Sequence, residues 1–176
     1  MNVKFSRPFL CILMLLLMAC TAPEKREPVS STMSVEETEV ARQALVEWFE
    51  CEECEEGQLA AVVKYGERMV PSLRASLLEG AAPASEELLR RDLESRYDEL
   101  VRYAETHPEA KVASSKEEFV AMYIGNLHAQ YKTRAAQALS QIGGPTANRA
   151  LQEGLERADR PDVRATVEAA IKSAKK

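Results

Sequence analysis

The chain has 176 residues, and its 28 acidic and 23 basic side chains give a formal net charge of −5. Affinity for nucleic acid rests on neutralising phosphates with Lys and Arg, so this balance argues against a nucleic-acid partner. The length fits one domain of ordinary size.

The amino terminus has the plan of a secretory signal. Lys4 and Arg7 precede an apolar run over residues 9–18. That run holds about ten residues, whereas a membrane-spanning helix needs about twenty, so it predicts a signal and not a span. The run ends in Leu17-Met18-Ala19-Cys20, which resembles the lipobox of bacterial lipoproteins.

The lipobox resemblance implies that residues 1–19 are a cleaved signal peptide and that Cys20 is acylated. Two or more acyl chains would hold the protein on its membrane. Thr21 does not match the acidic residue of an inner-membrane sorting rule, which favours the periplasmic side of the outer membrane. The alternatives are an ordinary cleaved signal with an incidental cysteine, and a poorly cleaved membrane anchor.

Residues 20–34 are predicted to be the lipidated cysteine and a flexible tether, because Pro, Ser, Thr, Glu and Lys dominate and no apolar period is present. A helical domain is predicted over residues 35–176. Ser34 and Glu37 form a capping-box pattern that opens a helix ending near Glu50. Trp48 lies on its apolar stripe and is expected in the core.

Further helices follow in chain order. Two apolar stripes, over 58–65 and 67–79, predict a hairpin split by Gly66. Ser85 is predicted to cap a longer helix that His107-Pro108 ends. Ser115 and Glu118 form a second capping box, whose helix runs to Tyr131 and then continues or kinks into 134–142. Pro145 and Asp162 start two short helices. No segment shows convincing period-two alternation, so the fold class is all-α.

Two segments repeat a pattern. The run 134–145, continuing through Ala150-Leu151 to 162–165, resembles the HEAT-repeat family and in particular its bacterial lyase-like branch. The earlier hairpin aligns with it, placing Val62 on Leu139 and Gly66 on Gly143. The resemblance implies a short α-solenoid that binds a protein partner, with 85–131 as an inserted longer helical hairpin or a degenerate repeat. The alternative is an irregular helical bundle.

Cys51 and Cys54 are the constellation that could carry chemistry. Glutamates crowd them, which disfavours the thiolate, and no thioredoxin-like or haem pattern surrounds them. A structural disulfide is the favoured prediction, since the three-residue spacing is within reach of disulfide geometry. Metal binding, a redox role and unpaired thiols are the alternatives. His107 is expected to lie at a helix end, and His128 on a helix surface or in a groove. No metal or other cofactor is predicted.

The sequence contains no Ser-His-Asp set, phosphate loop or metal motif, so the predicted function is not enzymatic. We expect a lipid-anchored bacterial envelope protein that acts as a helical-repeat scaffold or adaptor for another envelope protein. The second hypothesis is a redox or metal-linked accessory protein that uses Cys51 and Cys54. A third, a small-ligand or pigment-associated protein, is suggested only by the lyase-like branch and is disfavoured by the export signal.

Overall fold

The computed structural model describes residues 33–174. The predictions for the signal peptide, for Cys20 and for most of the tether lie outside the described residues. Within residues 33–174 the chain forms seven α-helices and one 3₁₀ helix, with no strand, which confirms the all-α prediction. The α-helices are α1 (Val35–Glu50), α2 (Glu56–Val63), α3 (Val70–Glu79), α4 (Pro83–Thr106), α5 (Lys116–Ile142), α6 (Gly144–Arg157) and α7 (Pro161–Ala174), and the 3₁₀ helix spans Gly66–Met69.

Both predicted capping boxes are present. The Ser34 hydroxyl accepts the Glu37 N–H at 3.1 Å, and the Glu37 carboxylate accepts the Ser34 N–H at 3.0 Å. Ser115 and Glu118 make the same reciprocal pair at the start of α5, at 3.2 and 2.9 Å. Each box satisfies two backbone donors that a helix start leaves free.

The predicted cap at Ser85 is wrong. Helix α4 begins at Pro83, and Ala82 is the residue before it. Proline fits the first turn because its fixed φ is helical and its missing N–H has no intrahelical acceptor there. Ser85 therefore lies inside the first turn, and its hydroxyl donates to the Glu50 carboxylate at 3.2 Å.

Three other helix boundaries differ from the sequence prediction or settle a choice that it left open. Helix α2 covers Glu56–Val63 and not 58–65, because Glu55 and Gln58 form their own capping box. The predicted helix over 67–79 is divided: a 3₁₀ helix leads into α3, with Pro71 in the first turn of α3. Helix α5 runs without interruption from Lys116 to Ile142, so it continues through Tyr131 and does not kink there into a second helix.

The carboxyl-terminal half of α5 is the centre of the main core. Its residues Ala135, Ala136, Ala138 and Leu139 have no exposed surface, and α1, α2, α3, α6 and α7 all pack around it. Small side chains allow this close packing. Helices α3 and α6 also approach closely, since a Cβ at Gly154 would lie 2.5 Å from Leu77 Cδ2.

The amino-terminal half of α5 packs against α4. These two segments and the loop between them form a hairpin, residues 83–128, which we call the α4–α5 hairpin. A separate small core of Leu93, Val120 and Ile124 holds it together. Within residues 33–174, no helix is long and apolar enough to cross a membrane.

Candidate functional site

The α4–α5 hairpin carries most of the exposed apolar surface of the described chain. Of eight exposed large hydrophobic side chains, six belong to it, and they are Leu88, Leu100, Tyr103, Val112, Met122 and Tyr123. Leu88 is 67% exposed and Tyr103 is 53% exposed. Single exposed apolar residues are ordinary, but a contiguous group marks a surface that binds something.

Four of these six side chains line two neighbouring pockets on the hairpin, which together we call the hairpin groove. Near the loop, Leu100, Tyr103, Phe119 and Tyr123 surround a tip pocket of about 510 Å³. Near the main core, a root pocket of about 410 Å³ is lined by an apolar set and a polar rim: Leu88, Leu89, Leu127, Glu50, Ser85 and Asp92.

The two pockets lie on the same side of the hairpin. On α4, positions 85, 88, 92, 96, 99 and 103 are spaced by three or four residues, and on α5 so are 119, 123 and 127, so each set shares one helix face. An ion pair separates the pockets. Arg96 Nε lies 2.7 Å from Asp92 Oδ2, and these side chains are 67% and 50% exposed. From the root to the tip, the groove therefore has an apolar pocket, then a charged pair, and then a second apolar pocket.

Aromatic contacts fix the shape of the tip pocket. The ring centroids of Phe119 and Tyr123 are 4.8 Å apart, and those of Tyr97 and Phe119 are 5.6 Å apart. The Tyr97 hydroxyl donates to the Ser114 carbonyl at 2.7 Å, which ties the loop to α4. His107, at the end of α4, stacks on Tyr103 with centroids 3.9 Å apart. The pocket wall is thus preformed by packing.

Polar contacts join the root of the hairpin to α1. Tyr131 donates to the Glu50 carboxylate at 2.7 Å, and Ser85 donates to the same oxygen. Burial raises the pKa of Tyr131 to about 12, and the hydrogen bond to Glu50 adds to the rise. The phenol therefore stays a donor across the physiological range.

His128 makes a second connection at the root. Its Nδ1 accepts the Ala81 N–H at 3.1 Å, and its Nε2 lies 3.2 Å from Glu86. The nearby Arg90 guanidinium, followed by His128, holds the pKa of Glu86 below its usual value. Gly80 lies against the imidazole with φ +89°, a conformation that glycine alone adopts readily. These contacts fix the start of α4 against the middle of α5.

The cysteine pair lies in the loop after α1. Cys51 and Cys54 form a disulfide with their Cα atoms 5.3 Å apart. Cys54 is exposed and lines a polar cleft of about 520 Å³ together with Trp48 and Arg160. Trp48 itself is buried, as expected for a core residue.

Arg134 caps the end of α1 beside this cleft. Its guanidinium donates to the carbonyls of Trp48, Phe49 and Cys51, at 3.1, 2.6 and 2.7 Å. The Trp48 indole N–H donates back to the Arg134 carbonyl at 3.1 Å. Burial lowers the pKa of the Arg134 guanidinium below its ordinary value. An arginine side chain is still a cation at neutral pH.

The structure does not bring the two histidines to the cysteine pair. His128 contacts Gly80, Ala81 and Glu86, and His107 contacts Tyr103. Among residues 33–174, no group of three or more His, Cys, Asp or Glu side chains is placed to hold a metal ion. Searches of the chain against protein-family models, curated proteins and solved structures returned no match.

Proposed function

We propose that this protein is a lipid-anchored bacterial envelope protein whose helical domain binds a protein partner through the hairpin groove. Its role is that of a scaffold or adaptor, without catalysis. The observation that carries the proposal is the concentration of exposed Leu, Met and Tyr side chains on one hairpin. Aromatic residues and Met are enriched at the centres of protein interfaces, and a preformed apolar groove is a common way to hold an amphipathic helix.

The lipid anchor of the proposal rests on the sequence around Cys20. We expect the wild-type chain, expressed in a bacterial host, to partition with membranes and to yield a fatty-acylated amino-terminal fragment. Cys20→Ala removes the sulfur that would be acylated, so we expect the fatty-acylated amino-terminal fragment to be lost in this variant. An unacylated, soluble wild-type protein would contradict the anchor and leave the groove proposal standing alone.

A HEAT-like stack is the architecture proposed for the domain, and two aligned positions support it. Gly66 and Gly143, matched by the repeat alignment, have φ of +58° and +65° at the turn between helices. Val62 and Leu139, also matched, are both fully buried. The two turns differ after the glycine, since a 3₁₀ helix follows Gly66 and α6 follows Gly143 directly. The hairpin is the proposed insertion.

Site-specific crosslinking in intact cells tests the binding proposal. A photoreactive amino acid at position 103 lies in the tip pocket, and one at position 91 lies on the same helix outside the groove, where Arg91 faces Glu87. We expect position 103 to give a discrete protein adduct and position 91 to give none. Monomer alone from both positions, with normal expression and folding, would overturn the proposal.

A redox accessory role is a second candidate, and the exposed position of Cys54 at the polar cleft favours it. In this role the disulfide takes two electrons and two protons from a partner dithiol, which is itself oxidised to a disulfide. The double change Cys51→Ser and Cys54→Ser would abolish such a function while leaving the fold. It should leave the crosslink from position 103 unchanged, which separates the two candidates.

A further inference from the structure

We propose that the partner in the hairpin groove is a second copy of this chain, packed antiparallel across a two-fold axis. This inference rests on the proposed function, because it names the occupant of the same groove. Three features of the hairpin favour a second copy: the symmetry of the groove, the charges at its centre, and the size of the face.

The groove is self-complementary about its middle. On α4 the root pocket is lined by positions from 85 to 92 and the tip pocket by positions from 96 to 103, so the two sets are symmetric about position 94, midway between Asp92 and Arg96. A two-fold axis near position 94 therefore places the tip pocket of one copy over the root pocket of the other, and the reverse. A two-fold contact must use the same patch on both subunits, and this spacing provides such a patch.

The charges at the centre of the groove are complementary to the same charges in a second copy. Asp92 and Arg96 form an exposed pair within one copy, and such a pair contributes little while water surrounds it. Any partner that covers the apolar pockets also removes water from this pair, and a buried pair needs further opposite charges near it. A second copy turned by the two-fold axis brings its Arg96 to Asp92 and its Asp92 to Arg96.

The face is large enough for a dimer. The 24 residues of α4 extend about 36 Å at 1.5 Å per residue, and two helices side by side are about 20 Å wide. The footprint is thus on the order of 700 Å² per copy, close to the roughly 800 Å² of a standard interface. Two helical hairpins packed face to face make a four-helix bundle, which gives each hairpin the second layer that it lacks in one copy.

A charge swap distinguishes a second copy from any other protein. Two full-length copies with different tags are expressed together, and the fraction that copurifies is measured after mild crosslinking. We expect Asp92→Arg alone and Arg96→Asp alone to lower pairing at least tenfold, because each brings like charges together across the axis. The double swap restores the opposite charges in both copies and should return pairing to within about threefold of wild type.

A different partner protein would keep its own charges, so the double swap would not rescue its binding. Swapped and wild-type copies mixed together should pair more weakly than either pairs with itself. Arg91→Glu is the matched control on the same helix outside the groove, and it should leave pairing unchanged. Circular dichroism and thermal unfolding of each variant show whether the fold is kept.

The packing direction is tested by mapping the crosslink from position 103. We expect the photoreactive side chain to join the partner copy's tryptic peptide that contains Leu88 and ends at Arg90. Adducts to an unrelated protein only would overturn the second copy and keep the proposed function. No protein adduct at all would overturn both, and a two-tag adduct mapped to Tyr103 itself would overturn the antiparallel arrangement.

Discussion

Gly80→Ala should destabilise the protein strongly, because two separate costs fall on one methyl group. Gly80 has φ +89° and ψ −141°, a region that side chains other than glycine's avoid at a cost of about 1–3 kcal/mol. The added Cβ would also lie 2.3 Å from Nδ1 and 2.9 Å from Cβ of His128. Moving that imidazole costs about 1–3 kcal/mol in packing. The total is about 4 kcal/mol in the free energy of unfolding.

A double-mutant cycle with His128→Ala separates the two costs. Removing the imidazole relieves the overlap with Nδ1 but leaves the 2.9 Å approach to Cβ of residue 128 and the backbone conformation, so Gly80→Ala should cost about 1 kcal/mol less in that background than in wild type. His128→Ala itself should cost about 1–3 kcal/mol, since the Ala81 N–H loses its acceptor. Urea denaturation followed by circular dichroism measures all four proteins.

Gly57→Ala is the matched control. Gly57 lies in α2 with nothing within 4 Å of a Cβ, and its φ is not positive, so alanine there should be neutral or stabilising by up to about 1 kcal/mol. Equal costs of Gly80→Ala in the two backgrounds would refute the overlap with His128. A cost below about 1 kcal/mol in wild type would refute the strained conformation as well.

Three further changes test other contacts. Arg134→Met removes three charge-assisted hydrogen bonds from the end of α1, so we expect a loss of about 3 kcal/mol and a melting temperature roughly 9 °C lower, while Arg91→Met stays within about 0.5 kcal/mol. Tyr131→Phe should cost about 1 kcal/mol at pH 7. Because the folded phenol has a pKa of about 12 against about 10 unfolded, wild type loses stability as pH rises from 10 towards 12, and urea curves should show its advantage over the variant shrinking there. Cys51→Ser with Cys54→Ser should cost about 2 kcal/mol, and reductant should lower the melting temperature of wild type but not of the double variant.

Helix starts were predictable where a short-range signal acts alone. Ser34 and Ser115 each have a glutamate three residues later, and both helices begin there. Ser85 has an equally good side chain, but Pro83 precedes it and starts the helix earlier. The long α5 was only partly predictable, because continuation through Tyr131 depends on packing against five other helices.

The binding groove was not predictable from the sequence, because apolar spacing does not say which residues another element covers. Leu88, Leu93 and Leu100 lie on one predicted stripe of α4, yet only Leu93 is buried. The stripe is wider than the strip that α5 can cover. Likewise the role of Arg134 depends on carbonyls more than 80 residues away along the chain. No local pattern encodes such a contact.

Helix α4 is covered on one side only, and this leaves it with few buried side chains and with an exposed groove. Helix α4 buries a single side chain in 24 residues, and its own ion pairs, such as Arg90 with Glu86 and Arg91 with Glu87, contribute only about 0.3–0.5 kcal/mol each. The helix is therefore stabilised chiefly through the small core around Leu93 and its root contacts. A second copy in the groove would bury the rest of the apolar stripe, so formation of the dimer and stability of the hairpin become linked. The stability of α4 should then rise with protein concentration.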